Sequence, residues 1–356
     1  MNVELLTMNG GNGTLSASYA LASVLGKNGA TCRVTDVMSE VSGLGHLLGE
    51  TYNFLISTDL RLASTYMKFA HTFPIDKVDA LNSASGKKLA NLFKKRSPDL
   101  VVLVCPWISG MVHSAILTMK GKRPKVAVVV VDFGPGVTES WLDLNADLTI
   151  FPTKECADHL LKGCKMPVKA EILGMPVHPE FYSDIPSKKK AKELMDMGDR
   201  SVTILGGREG GMFNITVLKT LLANKRGYEL VVQCGRNSRL RKKVNDLGAR
   251  SLGFVPSVRD LMIASDVVIT KPGALTLAEL ITLRSKFVVN TYPSIMPQEW
   301  GNAVFVRRHN LAPVCPDPSE LPKCVVTQLE NKKVPNNMDL AGTERIAKRL
   351  LRLVDQ

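Results

Sequence analysis

The chain has 356 residues, of which 45% are hydrophobic and 22% charged, and its formal net charge is +13. This length favours two domains, and the apolar fraction excludes an intrinsically disordered protein. The longest unbroken apolar runs, residues 100–105 and 126–131, are far shorter than the roughly 18 residues that a membrane-spanning helix needs. The N-terminal sequence MNVELLTMNGG has no basic leader, so we expect no signal peptide.

The seven cysteines form no C-x-x-C pair, which indicates reduced thiols in a cytoplasmic protein. Charge is unevenly distributed: residues 1–185 carry 18 basic and 17 acidic side chains, and residues 186–356 carry 28 and 16. The basic second half predicts an anionic partner, either a phosphorylated ligand, an anionic membrane surface or nucleic acid, unless it serves only solubility. Its basic residues do not interleave with aromatic ones, so we expect no nucleic-acid binding.

Short apolar runs alternate with amphipathic segments along almost the whole chain. In the first half the predicted strands are 3–8, 32–37, 100–105, 126–131, 148–151 and 168–173, and the predicted helices include 15–26, 87–95 and 155–161. In the second half the predicted strands are 202–205, 230–234, 267–270 and 287–290, and helices are predicted around 214–222, 275–283 and 303–308. Apolar strands joined by helices are typical of parallel sheets covered on both faces. The pattern therefore predicts an α/β protein with two doubly wound, Rossmann-like domains.

A turn-rich stretch at residues 174–179 marks the predicted domain boundary, and Ser187 is a plausible N-cap for the helix that follows. We therefore predict domains at 1–178 and 179–335, followed by a C-terminal helical segment, 336–356, that must pack on a domain already formed.

One segment departs from the alternating pattern. Residues 41–75 hold five aromatic side chains among leucines, although only 6% of the chain is aromatic. A helix with such a face could lie in a membrane interface, or it could pack against the first domain.

Glycine-bearing turns follow four of the predicted strands, at the edge of a parallel sheet where ligands bind. These turns are residues 10–14, 206–211, 234–237 and 270–276. Glycine allows the backbone to approach a ligand closely, and a helix N-terminus attracts anions through its free N–H groups. Three of the four turns lie in the basic half, which predicts a phosphorylated ligand there.

The first turn also fits part of a dinucleotide-binding fingerprint, with Gly11, Gly13 and Asp36 at suitable positions and Ser16 in place of the third glycine. A nicotinamide enzyme is therefore an alternative. The sequence has no P-loop, and its six histidines are dispersed. We expect neither a catalytic metal ion nor a cofactor.

A series of motifs resembles the glycolipid glycosyltransferases, in particular plant monogalactosyldiacylglycerol synthases and bacterial processive diacylglycerol glucosyltransferases. The motifs are GNGT near residue 11, VDFGPG at 131, GMPVHPEFY at 174, LGGREGG at 205, CGRN at 234, LGFVPSVRDLM at 252, TKPGALTLAEL at 270 and PQEWGN at 297. The transferase that adds N-acetylglucosamine to a peptidoglycan lipid intermediate is similar more distantly. The resemblance extends over residues 3–330, and its most specific part is TKPGALTLAEL with PQEWGN at that spacing.

The resemblance implies a GT-B fold, in which the first domain binds a lipid acceptor, the second binds a nucleotide sugar, and the last helix crosses back to the first domain. It implies inverting, metal-independent transfer of a hexose from a UDP-sugar, which is a co-substrate, to a diacylglycerol-type lipid or a glycolipid. Members of this family use the region that matches residues 41–75 to enter the membrane, which favours interfacial binding at the cytoplasmic face of an anionic membrane.

The resemblance also implies a set of nucleotide-sugar-binding residues. The turn at 206–211 and the helix after Gly273 would hold the diphosphate, Glu279 the ribose hydroxyls, and the backbone near Phe254 the uracil. The full set is Gly13, His178, Gly207, Arg208, Glu209, Arg236, Phe254, Val255, Pro272, Gly273, Ala274, Thr276, Glu279, Gln298, Glu299 and Asn302.

Two positions depart from the family pattern. Thr14 stands where relatives carry a histidine proposed as the catalytic base, and a threonine hydroxyl cannot accept a proton near neutral pH. Our hypothesis is that Asp132 replaces it, if partial burial raises the pKa of this carboxyl, so the predicted catalytic positions are Asp132 and Thr14. The alternative is that Asp132 only orders its loop. His178 stands where relatives often have an arginine, which would give a permanent charge and a bidentate contact to phosphate.

Two further functions stay open on the sequence. One is a nucleotide-sugar epimerase or hydrolase of the same fold, which would need no lipid. The other is a non-catalytic sugar-nucleotide-binding protein that lost activity with the histidine.

Overall fold

The computed structural model describes residues 1–8, 13–41, 47, 50–51, 54–55, 60–72, 79–164, 167–208, 210, 214–255, 257–332 and 338–355. The chain divides into two compact units. The first contains Met1–Tyr52, Met67–Pro179 and Leu340–Gln356, and the second contains Asn53–Tyr66 and Glu180–Asp339. Residues 53–66, which fall inside the domain predicted at 1–178, thus belong to the second unit.

The chain as far as Pro179 alternates strands with helices. Its elements are β1 (Asn2–Thr7), α1 (Gly13–Lys27), β2 (Thr31–Asp36), α2 (Val37–Val41), α3 (Leu60–Thr72), α4 (Asp79–Arg96), β3 (Leu100–Leu103), α5 (Ser109–Thr118), β4 (Lys125–Val129), β5 (Leu148–Phe151), α6 (Lys154–Leu161) and β6 (Ala170–Ile172). Within the described residues these strands form one parallel sheet in the order β2-β1-β3-β4-β5-β6. The central strands β3 and β5 are buried at every position, because helices cover both faces of a parallel sheet.

The second unit repeats this arrangement. Its elements are α7 (Lys188–Met195), β7 (Ser201–Leu205), α8 (Ile215–Ala223), β8 (Glu229–Gln233), α9 (Ser238–Asp246), β9 (Arg250–Leu252), α10 (Val258–Ala264), β10 (Val267–Thr270), α11 (Ala274–Thr282), β11 (Phe287–Asn290), α12 (Trp300–Arg308), β12 (Val314–Cys315) and α13 (Leu321–Glu330). In the part of the chain that the structure describes, its strands form a second parallel sheet, in the order β12-β11-β10-β7-β8-β9. Two parallel-sheet α/β units confirm the predicted fold class.

The predicted N-cap at Ser187 is confirmed, because its Oγ accepts a hydrogen bond of 3.3 Å from the backbone N–H of Lys190 at the start of α7. Two strands, β9 and β12, were not predicted. They have three and two residues respectively, too few to produce an apolar run in the sequence.

The last helix, α14 (Thr343–Val354), belongs to the first unit and packs against α1. Its buried face carries Ile346, Leu350 and Leu353. The chain that leads into it is fixed by backbone hydrogen bonds with Met175, which donates to Leu340 O at 2.6 Å and accepts from Gly342 N at 2.7 Å.

The aromatic segment 41–75 is described only in part, and its Tyr52 and Phe73 lie outside the described residues. Phe54 is 65% exposed and Leu62 is 57% exposed, whereas Ala63 and Ser64 are buried. The Ser64 hydroxyl donates to Ile295 O at 3.0 Å, which attaches this part of α3 to the second unit. No helix within the described residues combines the length and the apolar character that crossing a bilayer requires.

Candidate functional site

The strand order of the second unit determines where its ligand crevice lies. If β7 to β12 are numbered 1 to 6, their order across the sheet, read from β9, is 3-2-1-4-5-6. The chain therefore continues from β7 toward one edge of the sheet and from β10 toward the other. A crevice forms at such a switch point, outside the carboxyl ends of the two strands. The turns that begin at Gly206 and at Lys271 follow these two strands directly.

Backbone hydrogen bonds join the turn after β7 to the turn after β8. Gly206 N donates to Gln233 O at 2.9 Å, and Arg236 N donates to Arg208 O at 2.9 Å. Gly207 and Gly235 have positive φ angles of 74° and 56°. A Cβ atom at Gly235 would collide with the carbonyl groups of the first turn, so glycine is required there by space as well as by conformation. The predicted Glu209 lies outside the described residues.

Gln233, at the end of β8, was not among the predicted site residues. Its Nε2 donates to Gly207 O at 3.2 Å, while its buried Oε1 has no hydrogen-bond partner within the described residues. The side chain is only 3% exposed, so it holds the glycine turn from the interior of the unit. A polar residue directly after the apolar run 230–232 was the signal in the sequence.

The turn after β10 presents a helix N-terminus to the same edge of the sheet. Gly273 is the N-cap of α11 and offers no side-chain cap, so the first N–H groups of this nine-residue helix are not satisfied by a side chain at the N-cap. Gly273 and Ala274 thus begin a helix whose backbone groups favour an anion. Thr276 lies in the first turn of this helix, half-buried.

Residues that are distant in sequence converge on this turn. The Lys271 Nζ forms an ion pair with Glu299 Oε1, and Asn302 Nδ2 donates to Pro272 O at 3.2 Å. Glu299 and Asn302 are buried, at 6% and 0% exposure. The neighbouring Gln298 has a buried Oε1 with no partner among the residues described. The structure therefore brings the PQEWGN and TKPGALTLAEL motifs together.

Glu279 lies on α11, one and a half turns from the turn at Gly273, and is 8% exposed. Burial, and then the nearby carboxylate of Glu180, raise the pKa of Glu279 to about 8. Glu180 was not predicted as a site residue. Its Oε2 accepts a hydrogen bond of 3.0 Å from the Ser257 hydroxyl, so a second carboxylate is fixed near the first.

Arg236, in the turn after β8, lies beside Phe254, which follows β9. The Arg236 guanidinium carbon is 5.3 Å from the centre of the Phe254 ring, a cation–π contact, and Phe254 is 50% exposed. Val255 follows it and is half-buried. An exposed aromatic ring with a stacked guanidinium is well suited to contact a planar ligand group.

The other predicted site residues, Gly13, Thr14, Asp132 and His178, lie in the first unit. Gly13 begins α1, and the Thr14 hydroxyl donates to Met8 O at 3.1 Å while it accepts from the Thr7 hydroxyl at 3.0 Å. The Thr14 proton is therefore directed at a main-chain carbonyl. His178 is half-buried near the end of the unit.

Asp132 is half-buried in the loop after β4, where Trp141 Nε1 donates to its Oδ2 at 3.4 Å. Trp141 was not predicted as a site residue, because its indole reaches Asp132 only through the folded loop. The described residues contain no group of three or more histidine, cysteine, aspartate or glutamate side chains that could hold a metal ion.

Two family models match successive parts of the chain. Residues 16–177 match the monogalactosyldiacylglycerol (MGDG) synthase family, and residues 201–350 match the glycosyltransferase family 28 C-terminal domain. The second match contains both turns of the crevice and all of α11.

Relatives with similar sequences carry names from the same families. The chain is 23% identical to a processive diacylglycerol β-glucosyltransferase of Bacillus pumilus, over 94% of this chain and 88% of that protein. It is 26% identical to a chloroplastic monogalactosyldiacylglycerol synthase of Spinacia oleracea, over 82% of this chain and 58% of the spinach protein.

Solved structures confirm the predicted GT-B fold. Acinetobacter baumannii MurG has a TM-score of 0.60 at 14% identity and covers 99% of both chains. The glycosyltransferase VinC, solved in complex with dTDP, has a TM-score of 0.60 at 12% identity over 100% of both chains. The chain therefore has the GT-B fold of glycosyltransferases, and a region that matches the monogalactosyldiacylglycerol synthase family precedes a region that matches the glycosyltransferase family 28 C-terminal domain.

Proposed function

We propose that the protein transfers a hexose from a UDP-sugar to the hydroxyl group of a lipid, either a diacylglycerol or a glycolipid that already carries a sugar. The names of its relatives support the lipid acceptor, and the family 28 C-terminal domain supports a nucleotide-sugar donor. The single observation that carries the donor assignment is the switch point between β7 and β10, where the glycine turn that begins at Gly206, Lys271 and the uncapped N-terminus of α11 follow the two strands.

The diphosphate of the donor would bind at the glycine turn 206–210 and at the N-terminus of α11. Its charge grows when the sugar–phosphate bond breaks, so groups that stabilise this charge accelerate transfer. Backbone N–H groups, Lys271, Arg208 and Arg236 would supply that stabilisation without a divalent cation. The neighbour VinC was solved with dTDP, which supports the same class of ligand here.

The nucleoside would be held by Glu279 and Phe254. A carboxylate can accept two hydrogen bonds from the vicinal ribose hydroxyls, and an exposed aromatic ring offers an apolar surface beside a base. Gln298 and Asn302 would contact hydroxyl groups of the sugar or ribose, and the Gln298 Oε1, which has no partner among the described residues, would gain a donor on binding.

In the transfer step, the acceptor oxygen would attack C1 of the sugar, the bond from C1 to the phosphate oxygen would break, and UDP would leave. One displacement inverts the configuration at C1. Asp132 would take the proton of the attacking hydroxyl, because Thr14 directs its own proton at Met8 O and offers no base.

The acceptor lipid requires the protein to work at a membrane surface. We propose peripheral binding at the cytoplasmic face of an anionic membrane, through the segment that exposes Phe54 and Leu62 and through the excess of basic side chains.

Transfer of label to lipid tests this function. Purified protein with EDTA is incubated with labelled UDP-glucose or UDP-galactose and with micelles that contain diacylglycerol or a monohexosyl-diacylglycerol. We expect labelled product in the organic phase, and a loss of about 10²–10⁴-fold in kcat for Asp132→Asn. The matched control is Asp158→Asn, which removes an exposed aspartate of the same unit that pairs with Lys154 and should keep wild-type turnover.

Absence of lipid-extractable label with every donor and acceptor would contradict the proposal. Release of free hexose or a changed sugar without lipid would instead indicate a hydrolase or an epimerase. Near-normal turnover of Asp132→Asn would mean that another group is the base.

A further inference from the structure

The loop that carries Asp132 is fixed on both sides by buried contacts. Phe133 is fully buried, and its carbonyl oxygen accepts a hydrogen bond of 2.8 Å from the Thr153 hydroxyl. Thr153 is the N-cap of α6 and also accepts from Cys156 N at 3.1 Å. The backbone beside Asp132 is therefore tied to the start of a helix.

The side chain of Asp132 is held by a second element. Its Oδ2 accepts the Trp141 Nε1–H at 3.4 Å, and Trp141 is 2% exposed. Trp141 ends a short 3-10 helix, Glu139–Trp141, whose N-cap Thr138 accepts from Ser140 N. The indole thus points its only donor at the carboxylate from a position where the ring cannot move freely.

We propose that Trp141 is a positioning residue for the transfer reaction, because its indole N–H holds one oxygen of Asp132 and keeps this carboxylate oriented and ionised for the acceptor hydroxyl. This inference rests on the proposed function, in which Asp132 is the base. No imidazole is available at position 14, so the carboxylate must act directly. An indole N–H is a donor that does not titrate, and a hydrogen bond to the charged form of a carboxyl lowers its pKa.

Other titratable groups of this region are compatible with such a role. Burial, and then the charge of Asp132, raise the pKa of the Cys156 thiol on α6, so the thiol stays neutral. Burial also raises the pKa of Asp143, an effect that the nearby His113 on α5 opposes. The pH dependence of the enzyme must therefore be separated from the titration of Asp143.

The pH profile of kcat/KM gives the first test, with Trp141→Phe, which removes the N–H and keeps an aromatic ring. Activity falls on the acidic side as the base becomes protonated. Loss of the hydrogen bond should move this acidic limb to higher pH by about one unit. On the limb, kcat/KM should then be about tenfold lower than in the wild type, whereas at higher pH it should change little. His113→Gln is the control and should leave the limb in place. An equal loss of activity at every pH, with the limb unmoved, would overturn the inference.

Fluorescence gives a second test that needs no substrate. The chain has three tryptophans, so the variant Trp107→Phe/Trp300→Phe leaves Trp141 as the single indole. Its emission should titrate at the pH of the acidic limb, and Asp132→Asn in this background should abolish the titration. An emission that is independent of pH, or a titration that survives Asp132→Asn, would overturn the inference.

The two tests also separate this inference from the function on which it rests. A protein that shows the fluorescence titration but transfers no sugar would refute the proposed function and leave the contact between Trp141 and Asp132 established. A protein that transfers sugar and depends on Asp132, but not on the Trp141 N–H, would refute only the inference.

Discussion

Glu279 combines two properties that conflict in the absence of a ligand. It is buried on α11, where burial and Glu180 raise its pKa to about 8, yet binding a ribose diol requires an acceptor. Hydroxyl groups that donate to the carboxylate favour its charged form, so nucleotide binding should release a proton from this site. Functional sites often contain a residue that destabilises the free protein and no longer does so once the ligand is bound.

Glu279→Gln should therefore stabilise the free protein in a pH-dependent way. Because the folded-state pKa lies above the unfolded value, the folded protein holds a proton that the unfolded chain loses, and wild-type stability falls as pH rises from about 5 to 8. Glutamine mimics the protonated acid, so the difference in Tm between variant and wild type should be small near pH 5 and increase toward pH 8. Differential scanning calorimetry across this range checks it, and a Tm difference that does not change with pH would contradict the assigned pKa.

The sequence predicted that the motifs TKPGALTLAEL and PQEWGN belong to one site, but not the contacts between their side chains. Gly273 of TKPGALTLAEL and Glu299 of PQEWGN were predicted to bind one ligand, and the structure joins Lys271 of the first motif directly to Glu299 of the second. The supports from Gln233 to Gly207 and from Trp141 to Asp132 were not foreseen, because each depends on a loop conformation that no periodicity encodes.

Several elements of the first unit are joined by a buried ion pair. Glu4 in the middle of β1 is 2% exposed and pairs with Arg96 at the end of α4 at 2.6 Å. Arg96 also donates to the Thr35 hydroxyl on β2 at 2.8 Å, so one guanidinium connects two strands and a helix. A glutamate within an apolar strand is otherwise costly, since an unpaired buried charge is poorly solvated.

Arg96→Met should destabilise the protein by about 3–5 kcal/mol, because it leaves the Glu4 carboxylate buried without its partner. The double variant Glu4→Leu/Arg96→Met should recover much of this loss, since both charges are then removed. Urea unfolding followed by circular dichroism measures both values. A double variant that is as unstable as the single one would show that the ion pair is not the source of the loss.

At the level of elements, the long apolar strands were predictable and the short ones were not. Strand β3 follows directly from an unbroken apolar run, and β7 and β10 follow from mainly apolar runs that each include a threonine, whereas β9 and β12 are edge strands of three and two residues. The helix N-terminus at Gly273 was predictable from the strand–turn–helix pattern. The attachment of residues 53–66 to the second unit was not, because it depends on the bond from Ser64 to Ile295.

Under the proposed function, the whole molecule must reach a substrate that is dissolved in a membrane. Its surface exposes Leu47, Phe54 and Leu62 at 62%, 65% and 57%, all within the aromatic segment 41–75. Exposed apolar side chains of one segment, in a chain with a net charge of +13, are suited to an anionic bilayer surface.

Phe54→Ser/Leu62→Ser should weaken binding to vesicles that contain anionic lipid by about tenfold or more, because each side chain contributes roughly 1.5–3 kcal/mol when it leaves water. The control is Leu194→Ser on α7, a leucine with 61% exposure outside this segment, which should bind vesicles like the wild type. Vesicle flotation measures both. Equal loss in the two variants, or none in either, would contradict binding through this segment.

The proposed transfer would depend first on a crevice that holds a nucleoside diphosphate without a metal ion. Isothermal titration with UDP in EDTA tests this claim most directly, with Glu279→Gln as the variant that removes the ribose acceptor. We expect binding with a Kd below about 1 mM, unchanged when EDTA is replaced by magnesium, and at least tenfold weaker in the variant. No heat of binding at millimolar UDP, or binding that appears only with magnesium, would contradict it.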